Sequence, residues 1–449
     1  MIVSVGRMMR KGGGGLIWPK GLKESIKAIY DPKKQGMTNY DVIEAYVEDF
    51  TKFIKNGNGT FTQNKYNSSI TTQEWLLYKT NGKEIEAMDI YITADDNVSP
   101  ALRYYYYTSE NNDRKIFNLK VGLNHLPASC YKEKGSTIGI VFEAQPASEF
   151  NITITQLPTS ILKDLSGNGN HAYLYGGKGK LNSGMGVYQT DFSSWQFYPK
   201  LSTVEYSPEQ LIIEKVNGPA QFCASSFVGK FIAEVSGIPD GVLLYYRYID
   251  KITGNTVSTT LSNGINEIDC SNANGDVNMT NMFLIGADNK DINITITQIP
   301  DQLCYDGKMY AVCYGFPILT DYTVMAERTW FENRNIFLAK GNITTEAKYA
   351  FIFERFKPDG VMAVQSFGAW NDVVSTTDSC ISYLTKNKYN GIDIRSGIGA
   401  DDDMLSIGGA LNKGNIELTS VCCHGAIIVA DRSFTEEEIN WLKDNLFRK

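Results

Sequence analysis

The sequence is poor in the residues that most metal centres and many catalytic centres need. Its three histidines (His125, His171 and His424) lie far apart along the chain, which argues against a multi-histidine metal site. None of its eight cysteines stands at a Cys-x-x-Cys or other metal-binding spacing, and a disulfide framework would be denser and in a smaller chain. We therefore expect the cysteines to be reduced and buried.

Common catalytic and targeting signals are also missing. The sequence has no Gly-x-Ser-x-Gly elbow, P-loop or His-Glu-x-x-His motif. Its acidic groups Glu84-Ile-Glu86, Glu267-Ile-Asp269 and Asp401–Asp403 do not match the paired carboxylates of a glycosidase, and we interpret them as turn and edge charges. No stretch approaches 18 apolar residues, and Arg7 and Arg10 interrupt the N-terminal apolar run. We predict a non-enzymatic protein without a membrane span or a signal peptide.

Aromatic residues and turn formers are abundant. Aromatic residues make up 12% of the chain, with 26 Tyr among them, and 40 Gly punctuate it. Short alternating runs bounded by Gly, Asn and Asp are typical of β-strands joined by turns. The length of 449 residues allows several domains, each with its own core. The composition therefore predicts an all-β protein.

Positive charge is concentrated at the N-terminus. Residues 1–34 hold eight Lys or Arg against Glu24 and Asp31, a net charge of +6, so the remainder of the chain carries −13. A body this acidic repels phosphate backbones, which argues against nucleic-acid binding. The Gly-rich segment 1–15, with Arg7, Arg10 and Lys11, is predicted to be an arm that docks on an acidic partner surface; a merely soluble N-terminus is the alternative.

An internal repeat organises the chain. The run Asn151-Ile-Thr-Ile-Thr-Gln-Leu-Pro158 recurs 142 residues later as Asn293-Ile-Thr-Ile-Thr-Gln-Ile-Pro300, and Gly122-Leu-Asn124 recurs at the same offset. The period-2 pattern predicts a strand with Ile152 and Ile154 inward and its threonines outward. The repeated units span residues 49–159 and 191–301, and each is predicted to be an antiparallel β-sandwich.

The segments outside the repeats form a divided third domain. These segments are 16–48, 160–190 and 302–449, and they contain Asp164-Leu-Ser-Gly-Asn-Gly-Asn-His171 and Leu405-Ser-Ile-Gly-Gly409. Read consecutively, they resemble a laminin-G-like, concanavalin A-type jelly roll. The resemblance implies a jelly roll interrupted by two duplicated sandwiches. A capping box, Thr435 with Glu438, predicts a short C-terminal helix.

Aromatic side chains are the candidate ligand contacts, because their faces can stack on sugars. Along one strand Tyr104 and Tyr106 face one way and Tyr105 and Tyr107 the other; which pair is exposed stays open. Loop oxygens of the laminin-G-like signature (Asp164, Asn168 and Asn170) are weak calcium candidates, although turn formation explains each of them, and no other cofactor is expected. The predicted ligand-binding residues are Tyr104, Tyr105, Tyr106, Tyr107, Tyr246, Tyr248, Trp195 and Trp370.

The domain composite resembles head- or tail-fibre and decoration proteins of phages. That resemblance implies a non-enzymatic structural and adhesive virion protein made in the host cytoplasm. Its arm would dock on other virion proteins, and its body would bind bacterial surface polysaccharide. An oligomer is expected, and the sequence does not indicate its number of subunits. One alternative is a bacterial cell-surface carbohydrate-binding protein, which would need an export signal. Another is a jelly-roll glycosidase or lyase, for which no carboxylate constellation is visible.

Overall fold

The computed structural model shows a chain built almost entirely of antiparallel strands, which confirms the all-β prediction. Three short α-helices interrupt the strands in the part of the chain that is described. The described residues are 16–70, 74–77, 85–95, 100–107, 114–128, 141–145, 149–179, 183–186, 192–197, 202–207, 210–216, 220–225, 230–270, 272–274, 281–285, 290–298, 302–330, 335–343, 349–356, 361–373, 379–399, 401–412 and 415–447.

The first third of the chain supplies one strand of a large host unit and then ten strands of a first sandwich. Single 3-10 turns lie at Asn39–Val42 and Phe50–Lys52, on the way into the sandwich. The elements are α1 (Leu22–Ser25), β1 (Ile26–Tyr30), α2 (Pro32–Gln35), β2 (Ile54–Asn56), β3 (Thr60–Phe61), β4 (Lys65–Ile70), β5 (Glu74–Leu77), β6 (Met88–Ala94), β7 (Ala101–Tyr107), β8 (Arg114–Leu119), β9 (Gly122–Leu126), β10 (Val141–Gln145) and β11 (Phe150–Gln156).

The chain then returns briefly to the host unit before it forms a second sandwich. A 3-10 turn at Phe192–Ser194 opens that sandwich. The elements are β12 (Ile161–Leu162), β13 (Ala172–Tyr175), β14 (Gly184–Gly186), β15 (Gln196–Phe197), β16 (Ser202–Tyr206), β17 (Gln210–Val216), β18 (Ala220–Ser225), β19 (Lys230–Ser236), β20 (Leu244–Ile249), β21 (Thr256–Leu261), β22 (Gly264–Asp269), β23 (Asn281–Ile285) and β24 (Lys290–Gln298).

The last third of the chain completes the host unit. The elements are β25 (Gln302–Asp306), β26 (Tyr310–Tyr314), β27 (Thr323–Trp330), β28 (Ile336–Lys340), β29 (Asn342–Ile343), β30 (Phe351–Phe356), β31 (Met362–Ser366), β32 (Ala369–Val373), β33 (Ser379–Thr385), β34 (Lys388–Tyr389), β35 (Ile392–Asp393), β36 (Met404–Ile407), β37 (Ala410–Asn412), β38 (Asn415–Glu417), β39 (Val421–Ala430) and α3 (Glu436–Asn445).

The two sandwiches have the same strand order. The first consists of the sheets β2-β5-β10-β7-β8 and β3-β4-β11-β6-β9, and the second of β15-β18-β23-β20-β21 and β16-β17-β24-β19-β22. In β11, Ile152 and Ile154 are buried between the sheets while Thr153 and Thr155 are half-exposed, as the alternation predicts. Each sandwich has its own apolar core. The sequence repeat is therefore a repeat of topology.

Strands from three separate stretches of chain make up the host unit. One sheet of eight strands runs β14-β25-β39-β27-β33-β34-β35, with β1 also paired to β39, and the other runs β12-β13-β26-β36-β28-β30-β31-β32. The two sheets share one large core, to which Leu174, Ala311 and Val324 contribute. A small third sheet, β29-β37-β38, lies beside them.

Helix α3 packs on the outer side of the first host sheet. The Glu438 N–H donates to Thr435 Oγ1 at 3.3 Å, and the Thr435 N–H donates to the Glu438 carboxylate at 2.9 Å, so the predicted capping box is present. Ile439 and Leu442 are buried against the outer side of the first host sheet, beside Ile428. Among the described helices, none has the length and apolar character needed to cross a membrane.

A buried ion pair lies between the host sheets. Glu354, on β30, accepts hydrogen bonds from Arg328 Nε, from Trp330 Nε1 at 3.0 Å, from Ser382 Oγ at 2.5 Å and from Tyr389 OH at 2.9 Å. Both charged side chains have zero exposure. Because all four donors converge on one carboxylate from β27, β33 and β34, the network ties three strands of one sheet to the other sheet.

Candidate functional site

The first sandwich is docked on the host unit through an aromatic contact. The Tyr91 ring of β6 lies against the Tyr314 ring of β26, with centroids 4.4 Å apart, and Leu157 packs into the same cluster. The Tyr173 hydroxyl donates to the Asp89 carboxylate at 2.6 Å, which joins β13 of the host to β6 of the sandwich. This contact fixes the relative position of two sheet faces.

Beside that contact the two faces diverge and enclose a cleft, which we call the tyrosine cleft. Its volume is about 890 Å³, within the range of sites that bind small ligands. The second host sheet forms its floor, the sheet containing β4, β6 and β11 forms one wall, and the segment leading into the sandwich forms its end. Five tyrosines line it: Tyr46, Tyr91, Tyr175, Tyr310 and Tyr314.

The floor tyrosines are positioned by strand periodicity. Tyr310 and Tyr314 lie four residues apart on β26, so both project to the same side of the sheet, away from the host core. Tyr175 is the cross-strand partner of Tyr310, and their rings are stacked with centroids 5.0 Å apart and an interplanar angle of 11°. The hydroxyls of Tyr175 and Tyr314 are hydrogen-bonded at 3.0 Å. The result is a fixed cluster of packed tyrosine rings on the floor of the cleft.

The wall opposite is polar. Thr153 and Thr155 reach the cleft because Ile152 and Ile154 occupy the alternate, inward positions of β11. The Thr153 hydroxyl donates to the Asn67 side-chain oxygen at 2.8 Å. Hydroxyl and amide groups therefore face an aromatic floor across the cleft.

The second sandwich does not repeat this surface. Thr155 pairs with Tyr91 in the first sandwich, whereas the corresponding Thr297 pairs with Glu234 in the second. Glu234 is exposed. An exposed carboxylate thus stands in the second copy where the first copy places the ring that docks on the host.

The end of the cleft is a hydrogen-bonded Glu–Tyr pair. Tyr46 OH donates to one oxygen of Glu44, whose other oxygen accepts the Gly176 N–H at 2.6 Å. Asn64 Nδ2 donates to the Tyr46 hydroxyl at 3.0 Å. Burial, followed by the hydrogen bond to Glu44, raises the pKa of Tyr46 well above its usual range. The phenol therefore stays protonated at neutral pH.

The other cleft tyrosines are held neutral by the same physics. Burial, with a further contribution from Glu44, raises the pKa of Tyr310 to about 12. Burial also raises the pKa of Tyr91, Tyr175 and Tyr314. Neutral phenols donate and accept hydrogen bonds. At physiological pH the cleft thus offers neutral aromatic faces with polar edges.

The calcium candidates of the loop are engaged in building the turn. The Asp164 carboxylate accepts N–H groups of Ile29 at 3.0 Å, Ser166 at 2.8 Å and Asn170 at 3.1 Å. The amide of Asn168 donates to the Ile26 carbonyl at 2.8 Å, and that of Asn170 donates to the Lys27 carbonyl at 2.7 Å. Across the described residues, no group of three or more His, Cys, Asp or Glu side chains is placed to hold a metal ion. The loop chemistry is that of a β-turn anchor.

Four of the predicted ligand-binding residues are core residues. Tyr104 is fully buried in the first sandwich, and Trp195, Tyr246 and Tyr248 lie in the core of the second, where Trp195 stacks on Phe283 at 5.6 Å. These rings face inward because alternation along each strand sends every second side chain into the sandwich. A ring with almost no exposed surface has no face for a ligand.

The other predicted contacts lie away from the cleft. Tyr105 and Tyr107 are on the outer face of the opposite sheet of the first sandwich, where the Arg114 guanidinium lies 4.7 Å from the Tyr105 ring centre. Tyr106 packs beside Tyr104. Trp370, on β32 at the far edge of the host sheet, is half-buried under Arg355. The arm residues Arg7, Arg10 and Lys11 lie outside the described residues.

The five cleft tyrosines were missed from sequence, although a local signal exists. Tyr173-Leu-Tyr175 and Tyr310-Ala-Val-Cys-Tyr314 both place aromatic rings on one side of a strand whose other side is apolar. A strand that is apolar on one side and aromatic on the other packs against its own core with the first side and against a second partner with the other. The sequence of the strand does not identify this partner, since Tyr91 comes from a different domain.

Comparisons with known proteins give no family. No family model matches the chain, and no curated protein matches it in sequence. Among solved structures, Trypanosoma rangeli sialidase in complex with sialic acid covers 87% of this chain and 83% of its own at 10% identity, with a TM-score of 0.25. A mutant of that sialidase displaying trans-sialidase activity covers 87% and 84% at 11% identity, also with a TM-score of 0.25. A variant of oxalate decarboxylase from B. subtilis covers 58% and 78% at 9% identity, with a TM-score of 0.13. TM-scores this low do not identify a shared fold.

Proposed function

We propose that this chain is a non-enzymatic adhesive protein whose tyrosine cleft binds a neutral glycan. The observation that carries the proposal is the cleft itself, about 890 Å³ between two rigid sheets. Its tyrosine floor faces a wall of threonine hydroxyls and asparagine amides. Both surfaces are held by ladder hydrogen bonds and ring contacts, so the site is pre-organised, which lowers the entropic cost of binding.

Sugars match both surfaces of the cleft. The C–H face of a pyranose is apolar and packs on an aromatic ring, while its edge carries hydroxyls that need donors and acceptors. Tyr310 and Tyr314 supply the rings, and Thr153, Thr155 and Asn67 supply the polar groups on the opposite side. Aromatic side chains with a polar tip are enriched at binding sites because one end is apolar and the other can form hydrogen bonds.

The charges around the cleft favour a neutral sugar over an acidic one. Glu44 is half-buried at the end of the cleft, where both of its carboxylate oxygens accept hydrogen bonds, while Lys65 is an exposed rim residue. Burial, followed by the nearby Asp403 and Asp402 carboxylates, raises the pKa of Tyr91. Burial, followed by Asp402, raises the pKa of Asp403 to about 6. A uronic or sialic acid carboxylate would enter a field of like charge, which is costly in a partly buried site.

The same groups argue for binding rather than hydrolysis. A glycosidase needs either two carboxylates across the scissile bond or an activated nucleophile. Glu44 is the carboxylate among the described lining residues, and both of its oxygens are engaged. The Glu44 carboxylate accepts a hydrogen bond from the Tyr46 hydroxyl, as a general base would, but the pKa of Tyr46 is raised. No second carboxylate lies among the described lining residues to protonate a leaving group. The Tyr46–Glu44 pair is therefore suited to hold the cleft rigid.

We place this adhesive protein on a virus particle. The support is the resemblance of its divided jelly roll with two inserted sandwiches to phage fibre and decoration proteins, together with a basic N-terminal segment on an acidic body. Immunoelectron microscopy of particles from a producing culture tests this location. Label on heads or tails agrees with it, and label on the bacterial envelope would indicate the cell-surface alternative.

A glycan array with matched variants tests the binding function. The full-length protein should bind neutral bacterial polysaccharides, and Tyr310→Ala should weaken binding at least about tenfold, equivalent to about 1.4 kcal/mol. Tyr206→Ala is the control, because Tyr206 is exposed on the second sandwich. Reducing-end assays on the bound glycan should show no cleavage. Equal binding by wild type and Tyr310→Ala, or release of sugar, would contradict the proposal.

A further inference from the structure

Two cysteines of the host unit lie directly opposite each other on neighbouring strands. Cys304 on β25 is the antiparallel cross-strand partner of Cys423 on β39. Their sulfur atoms are 2.6 Å apart, and neither side chain is exposed to solvent. The two residues are 119 positions apart in sequence. Their closeness is therefore a product of the fold.

The backbone geometry suits a covalent bond between them. Directly opposed residues of an antiparallel pair have Cα atoms about 4.5–5.5 Å apart, and disulfides span Cα separations of about 4.4–6.8 Å. Bond formation would thus require little movement of either strand.

We propose that Cys304 and Cys423 form a disulfide when the folded protein meets a peroxide, which locks β25 to β39. One thiolate attacks a peroxide oxygen, the O–O bond breaks, and a sulfenic acid and water form. The sulfur of the second cysteine then attacks the sulfenic sulfur, the S–O bond breaks, and the hydroxide leaves as water with the thiol proton. The two sulfurs are oxidised, and the peroxide is reduced to two waters.

The position of the bond gives it a structural consequence. β25 is the strand on which the chain re-enters the host unit after the second sandwich, and β39 is its central neighbour, paired also with β27. A bond between them closes a loop that contains most of the C-terminal part of the host unit. Long closed loops restrict the unfolded chain most. The oxidised host unit would resist unfolding better than the reduced one.

A neighbouring thiol provides a matched control. Cys422 is equally buried but projects to the other side of β39, into the core between the host sheets. Its cross-strand partners are Tyr305 and Trp330, so no cysteine lies opposite it. Cys422 should therefore stay reduced under the conditions that oxidise its neighbour.

Peptide mapping of the full-length protein tests the inference without any variant. The protein is treated with hydrogen peroxide, alkylated under denaturing conditions and digested without reductant. The expected product is a peptide pair that joins Cys304 to Cys423 and disappears on reduction. Recovery of both residues as alkylated thiols, or a linked peptide that joins Cys422 to either of them, would overturn the proposal.

Thermal unfolding with and without peroxide tests the lock. The midpoint of the host transition should rise on oxidation in the wild type and in Cys422→Ala. It should stay unchanged on oxidation in Cys304→Ala. A rise of equal size in Cys304→Ala would show that another modification is responsible.

Discussion

Replacement of Glu354 by glutamine should destabilise the host unit more than any change at the surface. The carboxylate accepts four hydrogen bonds and faces the Arg328 guanidinium with zero exposure on both sides. A β-bulge between Ile352 and Arg355 puts Glu354 in this place, with a backbone φ of 62°. Glutamine keeps the shape but removes the negative charge and turns one acceptor into a donor.

The expected cost follows from the loss of charge compensation in the core. Removal of one partner of a buried pair costs about 3–5 kcal/mol. In a unit of roughly 150–250 residues, each kcal/mol lowers the melting temperature by about 2–4 °C, so the host transition should fall by roughly 6–20 °C. Scanning calorimetry of the full-length chain resolves this transition from those of the two sandwiches if the units unfold separately.

The matched control for Glu354 is a carboxylate at the protein surface. Glu437→Gln removes a carboxylate of the same chemistry from an exposed position on α3 and should leave the transition within about 2 °C, as surface substitutions usually cost under about 0.5 kcal/mol. If Glu354→Gln behaves like Glu437→Gln, the buried charge network does not stabilise the host unit.

Three further predictions concern other parts of the molecule. Burial lowers the pKa of His424 from 6.5 to about 4, so stability that is complete above pH 6.5 is lost as the pH falls towards 4. Between pH 7 and pH 4.5 the loss is roughly 2.4 kcal/mol, and urea unfolding at these two pH values should show it in the wild type but not in His424→Asn. Tyr173→Phe removes the 2.6 Å bond to Asp89 and should weaken sandwich–host docking by about 1.5–3 kcal/mol, with the coupling measured in a double-mutant cycle with Asp89→Asn. Asp164→Asn should destabilise the host unit by about 1–3 kcal/mol, whereas millimolar calcium should leave the wild-type melting temperature unchanged, since the loop oxygens are used internally.

The architecture was accessible from sequence because its signals are local and repeated. The alternation around Ile152 and Ile154 sets the inward face of β11, and the capping box at Thr435 sets the start of α3. The repeat at an offset of 142 residues then predicts two units of the same kind, and their strand orders are identical. Period and cap chemistry depend on neighbouring residues alone.

The candidate site was not accessible in the same way. Sequence analysis chose clustered aromatics such as Tyr104 and Tyr246, and clustering on a sandwich strand marks the core as often as the surface. The cleft instead joins Tyr46, Tyr91 and Tyr310, which are dispersed along the chain. Only the docking of one domain on another brings them together, and that docking depends on side-chain packing between distant strands.

The same limit applies to the cysteines. Their spacing contains no motif, and the sequence predicts only that the cysteines are reduced and buried. The direct opposition of Cys304 and Cys423 follows from the register of β25 against β39, which places together two residues 119 positions apart in the chain. Register between strands so far apart is set by the whole sheet.

A structure of the protein with a bound oligosaccharide tests the central proposal most directly. The oligosaccharide would be the neutral glycan selected on the array. The account predicts a sugar ring stacked on Tyr310 or Tyr314, with its hydroxyls within hydrogen-bond distance of Thr153, Thr155 or Asn67. A sugar bound on the outer face at Tyr105 and Tyr107, with the tyrosine cleft empty, would contradict it.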